Sequence, residues 1–290
     1  LKLAIVEKNN GTTYGIIKND NFFNVRSYLK REFPTLKEFI SLIDQKMTNG
    51  HNALVELNDV FEDIGQPLSS LKLLPPITDK NKIICVGINY PKLYNNIPTR
   101  KPDHLILFSK FYETVVGHGQ PLLLPMGKAQ NSMDYEGELA VVIGKAAFNI
   151  AKEDAKKYIL GYTLFNDGSV REWQNHSIEA GKNFFCSGSC GPHIVTNDEI
   201  STSSELNFQT RLNGKLVQSG KVSRMFFSVN QIIEYVSNIL PLTPGDIIAT
   251  GSPEGTGASQ IPQRFLREGD IIEISSAVLG ILTNHINKTL

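Results

Sequence analysis

The chain has 290 residues, 41% of them hydrophobic and 20% charged, with 29 basic and 29 acidic side chains that cancel. Such a length and composition suit one large globular domain, or a small one beside a larger one. The charge balance provides no basic face for nucleic acid or for an anionic membrane surface, and neither partner is expected.

Three cysteines, Cys85, Cys186 and Cys190, are too few for a disulfide framework and odd in number. They fit a reducing compartment, and a cytoplasmic location is expected. No apolar stretch approaches the roughly 18 residues of a membrane helix. Residues 1–76 read as a small N-terminal α/β domain and residues 77–290 as a larger one. Short β-like runs at 3–7 and 13–18 flank the turn sequence Asn9-Asn10-Gly11. Residues 28–47 carry Phe33, Leu36, Phe39, Ile40 and Ile43 at helical spacing, with Pro34 starting or interrupting the helix. Residues 68–74 then run into Pro75-Pro76, a natural boundary.

A buried-strand run at 82–86 is closed by Gly87. Residues 91–104, with Pro91, Pro98 and Pro102, form a loop or a broken short helix, expected to act as a mobile lid. Strands are expected at 104–109 and 121–125. The clearest strand is 135–143, whose last five residues are almost wholly apolar, as in a strand covered on both faces. A helical turn at 154–158 precedes a strand at 159–166. Further strands are expected at 194–196, 208–212, 216–219, 246–250 and 271–275, with Asn213-Gly214 as a hairpin turn. Residues 229–240 form an amphipathic helix ended by Pro241 and Pro244-Gly245.

The segment Asp134-Tyr135-Glu136-Gly137-Glu138 is the most informative for chemistry. On a strand, residues i and i+2 share a face, so Glu136 and Glu138 present two carboxylates side by side. Like charges held together raise each other's pKa, and the apolar strand behind them makes uncompensated charge costly. A hard divalent cation is the economical solution. Oxygen-only ligation favours Mg²⁺, Mn²⁺ or Ca²⁺ over zinc. An exposed strand end is the alternative, and for a lone Glu-x-Glu it is the commoner case. Asp167 adds a third carboxylate where the strand through Asn166 opens onto a loop. Asn166-Asp167-Gly168 is also a turn sequence, so a turn role stays open.

Beyond it, Arg171 suits a bidentate pair with a substrate carboxylate, or equally an intramolecular ion pair. Trp173 is expected in the core. Lys182, among glycine and aromatics, reads as a tuned amine, as a cation facing an enolate, or as an ordinary surface lysine. The loop Thr250-Gly251-Ser252-Pro253-Glu254-Gly255-Thr256-Gly257 lets backbone amides approach an anion, or is simply structural. It is not a P-loop, because no Gly-Lys-Ser/Thr follows.

Taken together and in order, these segments resemble the fumarylacetoacetate hydrolase family over about residues 80–275. The carrying motifs are Val86-Gly87-Ile88-Asn89-Tyr90, then Asp134 through Lys145, and Gly161-Tyr162-Thr163 with Asn166-Asp167. Arg171-Glu172-Trp173-Gln174, Gly181-Lys182 with Gly191-Pro192, and Pro244-Gly245-Asp246 through Gly257 complete the set. The resemblance implies an α+β, mostly β fold: a mixed β-sheet roll, usually a homodimer, with the metal at its mouth. It places Glu136, Glu138 and Asp167 on the metal ligands and Lys182 on the active-site lysine. Arg171, Gln174 and Ser252 fall on substrate-lining positions, and Tyr90 and Thr256, from two of the motifs, are counted with them. Family substrates are small 2-oxo or 2,4-dioxo acids.

The sequence also departs from the family. Hydrolytic members follow Asn-Tyr with a short helix bearing a His and a Glu that activate water. Here Leu93 stands where that His is expected, and no acidic residue follows nearby. The stretch after Lys182, Asn183-Phe184-Phe185, also lacks an acidic residue often found there. His118 is expected to replace the missing base, ahead of His104, although a surface histidine is the commoner fate. Three readings follow. The first is a Mg²⁺- or Mn²⁺-dependent hydrolase of the C–C bond in a 2,4-dioxo acid of acylpyruvate type. The second, favoured by the missing dyad, is a decarboxylase or enol–keto isomerase of a small 2-oxo dicarboxylic acid. The third is a catalytically weak ligand-binding relative, against which the retained carboxylates and Lys182 argue.

Overall fold

The computed structural model describes residues 1–8, 11–25, 35–41, 65–77, 81–94 and 97–289. In the N-terminal segment lie β1 (Lys2–Lys8), β2 (Gly11–Lys18), β3 (Asn21–Asn24) and β4 (Gln66–Pro67). Next come β5 (Ile83–Gly87), the small hairpin β6 (Leu93–Tyr94) and β7 (Ile97–Pro98), β8 (Ile106–Lys110), β9 (Val115–Val116) and β10 (Leu122–Leu124). Strands β11 (Met133–Asp134), β12 (Gly137–Ile143), β13 (Ile159–Asn166), β14 (Ser169–Val170) and β15 (Gly188–Thr196) follow. The chain ends with β16 (Asn207–Leu212), β17 (Lys215–Lys221), β18 (Ile247–Ala249), β19 (Ile271–Ser276) and β20 (Gly280–Lys288). Helices α1 (Arg171–Gln174), α2 (Ile178–Lys182) and α3 (Val229–Ile239) lie between them.

The main sheet runs β4-β3-β2-β1-β15-β13-β12-β18-β5-β8, with β9 paired to β15 as an eleventh strand. It mixes antiparallel pairs with the parallel pairs β18–β5 and β15–β9. A second sheet runs β10-β20-β19-β16-β17. Strand β1, in the segment expected as a small unit, pairs with β15.

Every residue of β12, β13 and β15 is buried, which explains the near-continuous apolar runs of β12 and β13. Period-two alternation decides which way each side chain goes. Leu139, Val141 and Ile143 of β12 pack with Phe208, Ile274 and Leu282 of the second sheet and with Ile232, Ile233 and Val236 of α3. Ala140 and Val142 point the other way, toward Leu3, Ile5, Ile16 and Phe39 of the N-terminal segment. Ser228 caps α3 in a reciprocal box with Gln231.

Several expectations are corrected. Strand β12 begins at Gly137, leaving Tyr135 and Glu136 outside it. Strand β15 starts at Gly188, six residues early, because its first half is small and polar yet fully buried. Strand β20 went unread: only Leu282, Asn284 and Ile286 of it face inward, a weak pattern containing a buried Asn. Helices α1 and α2 occupy a segment to which the sequence assigned no element, and Trp173 is 38% exposed rather than core. The helix expected at 28–47 lies mostly outside the described residues; 36–41 is helical. The turn at Asn9-Asn10 also lies outside them. Among the described residues no helix is long and apolar enough to cross a membrane.

One buried group gives the fold an acid limit. His193 of β15 is 6% exposed, and neither ring nitrogen has a hydrogen-bond partner among the described residues. Burial, reinforced by Lys2 and His118, pushes its pKa from 6.5 down to about 4. An unfolded histidine protonates near its ordinary value, so the neutral buried ring contributes stability that is fully present above it. That contribution is lost as pH falls from 6.5 toward 4; in total it amounts to roughly 3 kcal/mol. His193→Gln is expected to flatten the fall in urea midpoint over that window. An unchanged acid slope in the variant would remove His193 as its cause.

Candidate active site

Strand register assembles the carboxylates. In the β12–β13 pair, Gly137 lies opposite Asn166 and Glu138 opposite Phe165. The start of one strand therefore meets the end of the other, and Asp167 comes beside Glu136. The Asp167 amide donates to the Glu136 carbonyl at 2.9 Å, and the Glu136 amide donates to Asn166 Oδ1 at 3.0 Å. Gly137 is required between the two glutamates: a Cβ there would lie 2.0 Å from Thr210 Oγ1 of the second sheet. All three carboxyl groups are buried, and one oxygen from each lies within 4.8 Å of the others.

Helix α2, capped by Ser177, ends at Lys182, which is 3% exposed. Its Nζ donates to Glu136 Oε2 at 2.8 Å and to Asp167 Oδ2 at 2.5 Å. Burial works against its charge, but Asp167 and Glu136 outweigh it and hold the pKa above the ordinary lysine value. In this arrangement the two carboxylates favour the charged form of Lys182. A second buried ammonium, Lys110 of β8, sits 3.2 Å from Asp167 Oδ1 and donates to the carbonyls of Gly168 and Lys182. It ties the turn after β13 to the end of α2.

Arg171, the first residue of α1, pairs with Asp134 Oδ2 at 2.8 Å and with Glu136 Oε1 at 2.7 Å, and donates to Gln174 Oε1 at 3.2 Å. Asp134 is wholly buried and also accepts from the amides of Tyr135, Gly257 and Ala258 at 2.9, 2.7 and 3.0 Å. It was quoted within a motif at the level of sequence but given no role. The β11–β14 pairing, with Asp134 opposite Ser169, is what sets it beside Arg171.

The charges around the three acids are uneven. Burial would keep Glu136 protonated, but Lys182, Arg171 and Lys92 reverse this and hold its pKa well below the carboxylate range. Burial, with Asp167 and Glu136 adding to it, raises Glu138 well above that range. Among the described residues Glu138 has no ion-pair partner; its Oε2 accepts from the Gly251 amide at 2.8 Å. A buried carboxylate lacking a cation, next to two others, in an all-oxygen set, fits a hard divalent ion. Gly251 adopts φ +98°, and a Cβ there would meet Asn89 at 2.8 Å, so the loop reaches Glu138 only with glycine at that position.

Ser252 follows, 4% exposed, and accepts from Lys92 Nζ at 3.2 Å. Thr256 is buried at the far end of the same loop. Tyr90 is 2% exposed in the main core, its hydroxyl unpartnered among the described residues, with Glu138 close enough to help burial raise its pKa. His118 is a correction. Its Nδ1 accepts from the Thr283 amide of β20 at 3.2 Å, and it lines a groove with Leu71 and Lys72 instead of joining the carboxylates. No imidazole among the described residues takes its place in the acidic group. Lys92 and Lys110 were missed; Lys92 directly precedes Leu93, the position at which a base was sought.

Residues 82–287 match the family model described as fumarylacetoacetate (FAA) hydrolase C-terminal. The mitochondrial oxaloacetate tautomerase fahd2 of Xenopus laevis is 35% identical over 255 residues, covering 86% of this chain and 77% of that one. Oxaloacetate tautomerase YisK of Bacillus subtilis is 40% identical over 234 residues, covering 79% and 77%. Among solved structures, a fumarylacetoacetate hydrolase from Exiguobacterium antarcticum matches with a TM-score of 0.82 at 29% identity, over 99% of both chains. Family match, relatives and fold agree: the chain belongs to the fumarylacetoacetate hydrolase family of enzymes.

Proposed function

We propose that this protein is a divalent-cation-dependent tautomerase that interconverts the keto and enol forms of a small 2-oxo acid, oxaloacetate being the first candidate. The observation that carries the reading is the make-up of the buried site. It gathers three carboxylates with Lys182, Lys110 and Arg171, while no imidazole among the described residues joins them. Hydrolysis of an acylpyruvate needs a water activated beside the acyl carbon, and general-base help there is worth about 10²–10⁴-fold. Tautomerisation moves one proton between C3 and the 2-oxo oxygen and consumes no water. The names of the two tautomerase relatives support the same choice.

Glu136, Glu138 and Asp167 would hold the cation, Mg²⁺ or Mn²⁺, which supplies Lewis acidity toward a 2-oxo carboxylate. The remaining work falls to the chain itself. Lys182 keeps positive charge fixed against Glu136 and Asp167, where negative charge on an enolate oxygen is best met. Arg171 and Lys110 hold the acids in place from outside, and the buried β12–β13 junction excludes bulk water.

The test is to follow decay of enol-oxaloacetate absorbance with Mn²⁺-loaded protein and after chelation, and to run acetylpyruvate in parallel by NMR. Accelerated enol loss that chelator removes, with acetylpyruvate untouched, is expected. Acetate plus pyruvate released at a comparable rate would restore the hydrolase reading, and no acceleration of either would overturn both.

A further inference from the structure

The cations of the site are not equivalent. Lys182, Lys110 and Arg171 each pair with a protein carboxylate. Lys92 forms no ion pair among the described residues; its Nζ reaches the Ser252 hydroxyl at 3.2 Å. That contact sets it beside the same centre, because Ser252 follows Gly251, whose amide donates to Glu138 at 2.8 Å, and Glu136 and Glu138 both act on its charge. Burial lowers its pKa, and the charges of Glu136 and Glu138 offset this only in part. Its backbone is held still: its amide donates to Thr99 Oγ1 at 2.8 Å, and its carbonyl accepts from the Thr99 amide at 2.7 Å. Ser252 is 4% exposed and adjoins Gly251, whose amide binds Glu138. An anion seated on Lys92 and Ser252 would therefore sit a short step from the three carboxylates.

We propose that Lys92 and Ser252 anchor a second carboxylate of the substrate and make the site selective for 2-oxo dicarboxylic acids over monocarboxylic ones. This deepens the tautomerase reading and uses the same site. The three carboxylates mark the place of the reacting end of the substrate, and the cations around them are already committed. A distal carboxylate then finds one uncommitted ammonium and one hydroxyl, a charge-assisted pair stronger than neutral hydrogen bonds. A methyl group at that place would leave the half-buried ammonium unpaired, so the monocarboxylic acid is penalised as well as the dicarboxylic acid favoured.

Binding can be read without turnover. Malate and lactate are 2-hydroxy acids that differ by the distal carboxylate and cannot tautomerise. Each is titrated calorimetrically into the Mn²⁺-loaded protein, wild type, Lys92→Met and Lys92→Arg. Wild type is expected to prefer malate by tenfold or more. Lys92→Met should lower that ratio at least tenfold, with Met filling the space of the lysine stem, and Lys92→Arg should keep most of it. A wild-type ratio below twofold overturns the anchor whether or not any variant folds. So does a Lys92→Met ratio within twofold of wild type. Malate preference that depends on Lys92, in a protein that leaves enol-oxaloacetate untouched, would sink the tautomerase reading and leave the anchor standing. Metal-dependent enol conversion with no malate preference would do the reverse.

Discussion

Glu138→Ala is expected to abolish metal-dependent activity and to weaken Mn²⁺ binding by more than about 100-fold. Removing even an outer partner of a metal ligand costs about 10–100-fold in affinity, and a direct ligand costs more. Glu138 is the acid whose charge the protein itself leaves least compensated. It is 1% exposed, takes one amide hydrogen bond, and lies beside two other carboxylates. Lys182 and Arg171 turn to Glu136 and Asp167 instead. For the same reason the substitution removes repulsion that burial intensifies. The metal-free variant should unfold at or above the wild-type temperature. That pairing of effects, lost metal with kept stability, separates ligand removal from misfolding. Wild-type Mn²⁺ affinity in Glu138→Ala would refute the ligand assignment, whatever its activity.

Asp134→Ala is expected to destabilise the fold by about 3–5 kcal/mol, the range for breaking a buried charge pair. Asp134 has no exposure and accepts from three backbone amides and from Arg171. Alanine would leave those amides and the Arg171 Nε–H without their acceptor, and the 250–257 loop would lose its tie to β11. A Cβ on Gly257 would approach Asp134 Oδ1 to 2.7 Å, so that loop is already drawn as close as glycine permits. The check is the denaturant midpoint at constant slope. A loss under about 1 kcal/mol would mean that water or a neighbour replaces the carboxylate.

Much of this was legible in the chain. The apolar run 139–143 read as a doubly covered strand because both faces of β12 do meet a core, one built from the second sheet and α3, the other from the N-terminal strands. Helix α3 was legible because its period and the Pro241 that follows it are both local signals. Glu136, Glu138 and Asp167 stood out because each lies where an apolar strand begins or ends. The elements that escaped are those whose burial is not written in hydrophobicity: the Ser- and Gly-containing start of β15 and the Asn-bearing β20.

Within the site the division is sharper. The chain alone determined which acids could meet, because strands that are neighbours in sequence, β12 and β13, set their own register and bring Glu138 opposite Phe165, two residues from Asp167. It also determined what was missing, since Leu93 cannot act as a base. Only the tertiary structure decided what each cation does. Arg171 meets Asp134 across 37 residues, Lys110 meets the Lys182 carbonyl across 72, and Lys92 meets Ser252 across 160. An isolated Lys or Arg in a sequence carries no local periodicity that names its partner. Whether it becomes a surface charge, a brace or a substrate anchor depends on which distant strand folds against it, and on how much water that contact removes.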